Sequence, residues 1–299
     1  MQTVLTNTFS LWLVEILVTN LVIAVAGICL LRYLQGVLSG VNTTQELSKK
    51  DNFAFGLSLA GSAIALALIM SAAVGGDGAE NLKTEGFNVL VYALAGTILL
   101  KVGSLINDLL IFHQFSIKEQ ISKENMAAGL VQAANFLALG LIIQAAINWG
   151  EAEDYTGLFL VAVVFLCSQL LLIAVTVLRS TIYRRRHNGE QLHVALESGH
   201  VALAIRYAGH LLGSALAISA ASAFVEHSSF WFWEAVAAWF LVALALILVL
   251  SVLSAVARSI ILRRINVVEE VDEQHNHGVA FIEAAIFIAI GLILKALMA

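Results

Sequence analysis

Eight apolar runs, each long enough to cross a lipid bilayer, occupy most of the 299 residues of this chain. About 20 residues of helix cover the ~30 Å hydrocarbon core. Charged residues make up 12% of the chain, against roughly 25% in a soluble domain. The sequence therefore predicts an all-α, polytopic membrane protein with eight transmembrane helices, near residues 9–32, 53–74, 87–112, 126–147, 157–179, 201–224, 230–257 and 278–298.

The connections between these runs are too short to form a separate soluble domain. They contain no Ser-His-Asp arrangement, phosphate-binding glycine loop or nucleotide fingerprint, so we predict neither an enzyme nor a cofactor. His275-Asn276-His277 lacks the further ligands of a metal motif, and no metal is predicted. A net charge of −5, spread over loops on two sides, does not indicate nucleic-acid binding.

Basic residues are concentrated in the connections that follow the odd-numbered runs. Twelve lie there, against Lys83 alone on the opposite side. Because lysine and arginine are retained in the cytoplasm, we predict a bacterial inner-membrane protein with both termini periplasmic or external. The basic loops are expected to bind membrane lipid, and a cytosolic enzyme is a further expected partner there. The twelve are Arg32, Lys49, Lys50, Lys118, Lys123, Arg179, Arg184, Arg185, Arg186, Arg258, Arg263 and Arg264.

The even-numbered runs align with one another without a gap. They start at Asn52, Asn125, His200 and Asn276, 73, 75 and 76 residues apart. Each unit therefore contains two spans, which predicts four parallel two-helix repeats, paired over residues 1–150 and 151–299. With no proline in the chain, we expect continuous helices around an axis along the membrane normal.

Glycine and alanine fill two stripes on each even-numbered run, and small residues let helices approach closely in lipid. One stripe contains an invariant alanine column, which predicts helix–helix contacts at Ala60, Ala133, Ala208 and Ala284. A homo-oligomer is also expected.

Two of the repeats open on an acid-Asn-x-Ala motif, Asp51-Asn52-Phe53-Ala54 and Glu124-Asn125-Met126-Ala127. On these motifs and the small-residue helices that follow, the chain resembles the domain-of-unknown-function-350 family, the YjfL-type bacterial inner-membrane proteins. The third copy departs with Gly199-His200 and the fourth with His275-Asn276. The resemblance implies a tandem protein over essentially the full length and no established activity.

Charged side chains within spans cost about 2.5–3.5 kcal/mol each on insertion scales, so they require an explanation. We predict one polar layer near the cytoplasmic end, with Lys101 deeper, near the middle of the third span. The layer either lines a water-filled path or ion site, with Asp108 and Glu283 as acidic ligands or proton carriers, or it neutralises a buried Arg206 through one or both carboxylates. Its members are Asp108, Gln132, Asn135, Arg206, His210 and Glu283.

Asn52, Asn125 and Asn276 stand where helices begin, and an asparagine side chain there accepts a hydrogen bond from a free backbone N–H. We predict that they cap helices at the cytoplasmic face. The leading functional interpretation is a channel or transporter-like protein for a small ion or polar solute. The alternative is a non-transporting scaffold or regulator that recruits cytosolic enzymes.

Overall fold

The computed structural model describes residues 11–75, 81–111, 116–150, 157–226 and 231–299. Within them the regular structure is helical, and eight helices are long and apolar enough to cross a membrane. These eight are α1 (Leu11–Ser39), α3 (Phe53–Val74), α4 (Leu82–Ile106), α6 (Met126–Gly150), α7 (Leu158–Arg186), α9 (Val201–Phe224), α10 (Phe232–Ile261) and α11 (His277–Met298). The all-α transmembrane prediction is confirmed.

Several of the spanning helices are longer than the apolar runs that predicted them. The helix α7 ends at Arg186 and α10 ends at Ile261. Arg179 and Arg258, which the topology argument treats as loop residues, therefore lie within helices. Loss of apolar character does not end a helix, and basic residues in the last turn interact favourably with the helix dipole.

The four helices α3, α6, α9 and α11 pack side by side in chain order and form a row. The first and the last of these contacts repeat one register: Gly61 of α3 faces Ala133 of α6, and Gly209 of α9 faces Ala284 of α11. A Cβ added at Gly61 would lie 2.6 Å from the Cα of Ala133, so the backbones meet there because both residues are small.

The row corrects two predictions from the sequence. Its helices follow one another in a line rather than surrounding an axis, and α3 and α11 lie at its two ends. Ala133, Ala208 and Ala284 are buried as predicted, whereas Ala60 is exposed. The reason is positional, because the first repeat has no preceding repeat to cover its alanine column.

Each helix of the row begins at what we call the basic end of the bundle, the end formed by the loops at 40–52, 116–125, 187–200 and 262–276. A short helix precedes α3, α6 and α9, and a π-helical turn, Glu269–Glu273, precedes α11. The short helices are α2 (Thr43–Ser48), α5 (Ile117–Ser122) and α8 (Leu192–Glu197). The residue before each cap has a positive φ, from 52° at Asp51 to 85° at Gly199, which turns the chain into the next helix.

The predicted caps are confirmed, and they also join the repeats. The side-chain oxygens of Asn52, Asn125 and Asn276 accept hydrogen bonds from backbone N–H groups of the first turn. The Asn52 amide also donates to the carbonyl of Ile121 at 2.9 Å, and the Asn125 amide to that of Leu196 at 2.9 Å. The caps Asn52 and Asn125 thus bind the loop of the following repeat.

Candidate functional site

In the second half, α7 to α11, five ionisable side chains form what we call the ionic cluster: Arg206, Glu283, Arg258, Asp272 and His187. Arg206 Nε donates to Glu283 Oε2 at 2.7 Å, and Arg258 Nη1 donates to Glu283 Oε1 at 2.9 Å. Arg206 Nη1 also pairs with Asp272, and His187 Nε2 lies 3.3 Å from Asp272 Oδ2. Both carboxylates therefore lie between two basic groups.

The loop before α11 folds back over the end of α9 and completes this cluster. Arg206 Nη2 donates to the Val267 carbonyl at 2.9 Å, and the imidazole of the cap His200 contacts the Asp272 carbonyl oxygen at 3.0 Å. Burial raises the pKa of Asp272, although the neighbouring Arg206 guanidinium acts in the opposite direction. Each of the three guanidinium nitrogens of Arg206 thus makes a hydrogen bond. These bonds join α9, α11 and the loop before α11.

A small cavity of about 100 Å³ adjoins the ionic cluster. Arg179 and His210 line it, and both contact Phe287: the guanidinium carbon lies 5.0 Å from the phenyl centroid, and the imidazole centroid lies 4.0 Å from it. His210 Nε2 is buried, makes no hydrogen bond and stands 3.9 Å from Glu283 Oε1. His210 Nε2 therefore remains available for a polar contact at this side of the cavity.

The corresponding region of the first half, α1 to α6, contains uncharged contacts. Gln35 Nε2 donates to Ser58 Oγ at 2.9 Å, and Ser62 Oγ donates to Gln35 Oε1 at 3.1 Å. Gln132 Nε2 donates to Ser104 Oγ at 2.7 Å. Ser58 lies six residues after its cap, as Arg206 does, and Gln132 lies seven after its cap, as Glu283 does.

Two larger cavities open beside these amides and hydroxyls. One, about 380 Å³, is lined by Lys101, Asp108 and Gln132, and we call it the inner cavity. The other, about 400 Å³, is lined by Glu46, Asn52 and Ser116 at the basic end, and we call it the outer cavity. They adjoin, because both are lined by Gln35, Ser58, Lys118 and Ile121.

The structure separates the predicted polar layer into two groups. Asp108, Gln132 and Lys101 line the inner cavity, whereas Arg206, His210 and Glu283 lie at the second-half cavity. The prediction that Arg206 pairs with Glu283, Asp108 or both is confirmed through Glu283, and the second carboxylate partner is Asp272 rather than Asp108. The layer was predicted from depth along the helices, which gives no lateral position.

The remaining members of the predicted layer have different settings. Asn135 is buried, and its Nδ2 has no hydrogen-bond partner among the described residues. Lys101 lies five residues before the end of α4, and the helical chain continues from there through the π-helical turn to Ile111. Its position near the middle of the third span stays a prediction. Its Nζ lies 5.6 Å from the Phe136 ring centroid.

Sequence reasoning missed three residues of these sites. Asp272 precedes Asn276 by four residues in a loop, where an acid ordinarily indicates only solvation. Arg258 was treated as a topological charge, although its place on an apolar helix could have indicated burial. Gln35 lies just beyond the first predicted span, and its bonds to Ser58 and Ser62 became evident only once α1 was seen to extend to Ser39.

A family model described as "Domain of Unknown Function (DUF350)" matches the chain twice, over residues 5–147 and 154–298. The chain belongs to this family. The two matches show a tandem arrangement, in line with the resemblance seen in the repeat openings.

The chain is also similar to a curated relative, the UPF0719 transmembrane protein of Aquifex aeolicus (strain VF5), with 23% identity over 101 residues. That match covers 34% of this chain and 38% of the relative. No solved structure matches the chain.

Proposed function

We propose that this membrane protein passes a small ion or polar solute through the cavities of its first half. The observation that supports this proposal is the inner cavity, about 380 Å³ and lined by Lys101, Asp108 and Gln132. Charged groups inside a span are costly and are found where they face a cavity or a pathway. The proposal assigns that role to this cavity.

Unsatisfied polar atoms support a hydrated cavity. Asp108 Oδ1, Gln132 Oε1 and both side-chain polar atoms of Asn107 are buried without a hydrogen-bond partner among the described residues. Buried polar groups are nearly always bonded to protein, water or a ligand. Asn107 and Asp108 also open a π-helical turn, Asn107–Ile111, a distortion frequent at functional sites.

The outer cavity supports an entry route from the basic end. It extends from the loop residues Ser116 and Glu119 to Gln35 and Ser58, which also line the inner cavity. A solute entering there meets Glu46, Lys118 and Glu119 together with hydroxyls and amides, and then Lys101 and Asp108 of the inner cavity. Because the inner cavity is lined by an acid, Asp108, and by the bases Lys101 and Lys118, a small ion of either sign or a zwitterion fits its chemistry.

Flux measurement in liposomes tests this proposal. The full chain is reconstituted beside Asp108→Asn and the matched control Glu269→Gln, an exposed acid in the second half. We expect Asp108→Asn to change the flux of K⁺, Cl⁻ or H⁺, or its pH dependence, at unchanged thermal stability, and the control to behave as wild type. Absence of flux above empty liposomes for every ion and small polar solute tried would contradict the proposal.

A scaffold or regulator that recruits cytosolic enzymes is the second candidate, and the ionic cluster favours it. Paired groups that join α9, α11 and their loop act as a structural element, and Arg184, Arg185 and Arg263 nearby stay exposed. Such a surface attracts anionic lipid or an acidic partner. Silent liposomes together with partner capture that Arg184→Glu abolishes would favour this candidate.

We propose that the basic end faces the cytoplasm of a bacterial inner membrane. The exposed Arg184, Arg185, Arg186, Arg263 and Arg264 at that end support this orientation. Single cysteines at Lys83 and Arg264, in a chain whose Cys29 and Cys167 are replaced by alanine, test it. Only the Lys83 position should react with an impermeant reagent added from outside.

We also propose that the chain associates with a second copy of itself. Inside the row, each helix contacts the next through one small-residue face on each partner. The two corresponding faces at the ends of the row are uncovered. They consist of six small residues: Gly56, Ala60 and Ala67 on α3, and Gly278, Ala285 and Ala289 on α11. The inter-repeat bonds made by the cap amides of Asn52 and Asn125 support the same continuation, because the Asn276 amide at the row's end donates to Glu270 of its own loop instead.

Particle mass in nanodiscs tests self-association. Wild type should contain two or more chains, and Ala60→Leu and Ala285→Leu should each reduce the particle to one chain without loss of thermal stability. Wild-type particles of one chain at every protein-to-lipid ratio would contradict the proposal.

A further inference from the structure

We infer that the cavity beside the ionic cluster binds a phosphate-class oxyanion, held between Arg179 on α7 and His210 on α9. This site is separate from the cavities of the proposed transport function. Free phosphate and the phosphate group of a phospholipid are both oxyanions of this class. The cavity lies near the basic end of the bundle, where either ligand is accessible.

The charges around the cavity do not balance. Arg206 and Arg258 are neutralised by Asp272 and Glu283, as the ion pairs show. Arg179 and Arg186 also line the cavity, and in the part of the chain that the structure describes neither has a carboxylate oxygen within 4 Å. In the described chain these two arginines therefore make no direct ion pair beside a partly enclosed space.

The geometry around Arg179 keeps this charge directed at the cavity. Its guanidinium lies 5.0 Å from the Phe287 centroid, and the same ring packs edge-on against His210. Phe287 is 4% exposed and His210 is 8% exposed, so neither ring is free to move far. A stacked guanidinium keeps its N–H edge available, and planar Arg edges bind phosphate oxygens in pairs.

His210 supplies an independent indication of a ligand. It lines the cavity, it is more than nine-tenths buried, and its Nε2 has no hydrogen-bond partner in the described chain. A buried unsatisfied ring nitrogen costs free energy, and as an N–H it would donate to an anion oxygen. Glu283 Oε1, at 3.9 Å, is too distant to accept that bond.

The cavity volume limits the size of the ligand. About 100 Å³ is enough for one phosphate group. For a phospholipid, the headgroup phosphate would enter between α7 and α10, with the acyl chains outside.

The test measures the thermal stability of the full-length protein in a zwitterionic detergent with two probes. Inorganic phosphate is titrated against chloride at matched ionic strength, and phosphatidylglycerol is titrated against phosphatidylcholine in mixed micelles. The variants are Arg179→Gln and, as the matched control, Arg184→Gln, an exposed arginine on the same helix. Arg186→Gln is the second site variant if Arg179→Gln does not fold.

We expect one probe to raise the wild-type Tm by about 2–4 °C at a few times its Kd. The site variant should lose most of this shift, and Arg184→Gln should keep it. A shift with phosphate identifies the free anion, and a shift with phosphatidylglycerol alone identifies the headgroup. Equal shifts in the site variant and the control, or no shift with either probe, would overturn the inference, while flux through the first half would be unaffected.

Discussion

The two halves of the molecule share one helix-packing register and differ in the chemistry at its basic end. In the first half, Ser58 and Gln132 bind other amides and hydroxyls beside two large cavities. In the second half, Arg206 and Glu283 occupy the same repeat positions and form the ionic cluster beside a small cavity. The packing positions are thus restricted to small residues, whereas the polar positions can exchange neutral contacts for charged ones.

The largest expected effect is that of Arg206→Ala. It leaves Glu283 and Asp272 without their shared partner, and breaking a buried pair costs about 3–5 kcal/mol. The equivalent change in the first half, Ser58→Ala, removes one neutral hydrogen bond worth about 1 kcal/mol. Thermal or denaturant unfolding in detergent measures both, with Arg263→Ala, an exposed arginine, as the control. Equal losses in Arg206→Ala and Ser58→Ala would remove the energetic distinction between the halves.

The shared register predicts that overpacking lowers the free energy of unfolding by about 1–3 kcal/mol in either half. Gly61→Ala and Gly209→Ala each place a Cβ against the backbone of the neighbouring helix, and overpacking costs about that much. The control Gly56→Ala lies at the uncovered end of the row, 3.8 Å from the Leu47 side chain. It should be neutral or stabilising because alanine is the better helix former. Opposite signs for Gly61→Ala and Gly209→Ala would contradict the common register.

The smallest expected effect concerns the pH dependence of stability and His200, which caps α9. Burial lowers the pKa of His200, so the folded state favours the neutral ring. That contribution is present above the unfolded pKa of about 6.5 and decreases as the pH falls below it. Asparagine stands at this position in the other three repeats and does not titrate. His200→Asn should therefore lose less Tm than wild type between pH 7.5 and 5.5.

The raised pKa of Asp272 acts in the opposite direction with pH in both proteins. A Tm decrease in His200→Asn as large as that of wild type would show that the ring does not contribute.

Much of the fold could be predicted because it depends on features that are periodic along the chain. Apolar length gives the spans, and invariant small columns give the packing faces. Asn52, Asn125 and Asn276 act on their own first turns, so their capping role was also accessible from sequence. Ala60 shows where such reasoning ends, since a column common to four repeats cannot indicate which repeat lies at the edge of the row.

The candidate sites were harder to predict because they depend on lateral position and loop geometry. Arg206 and Glu283 could be matched since they share a depth and have opposite charges. Asp108 shares that depth but lies in the other half, at the inner cavity, and a sequence gives no distance across the membrane plane. Asp272 required knowledge of how a π-helical turn folds back over α9.

The linear row also gives the helices unequal weight in cooperative unfolding. In a one-dimensional array, stability is close to a sum of unit terms and nearest-neighbour terms. The interior helices α6 and α9 each contribute to two neighbour terms, whereas α3 and α11 each contribute to one. A defect in α6 therefore uncouples the chain on both sides, while a defect in α11 can fray one end and leave the rest folded.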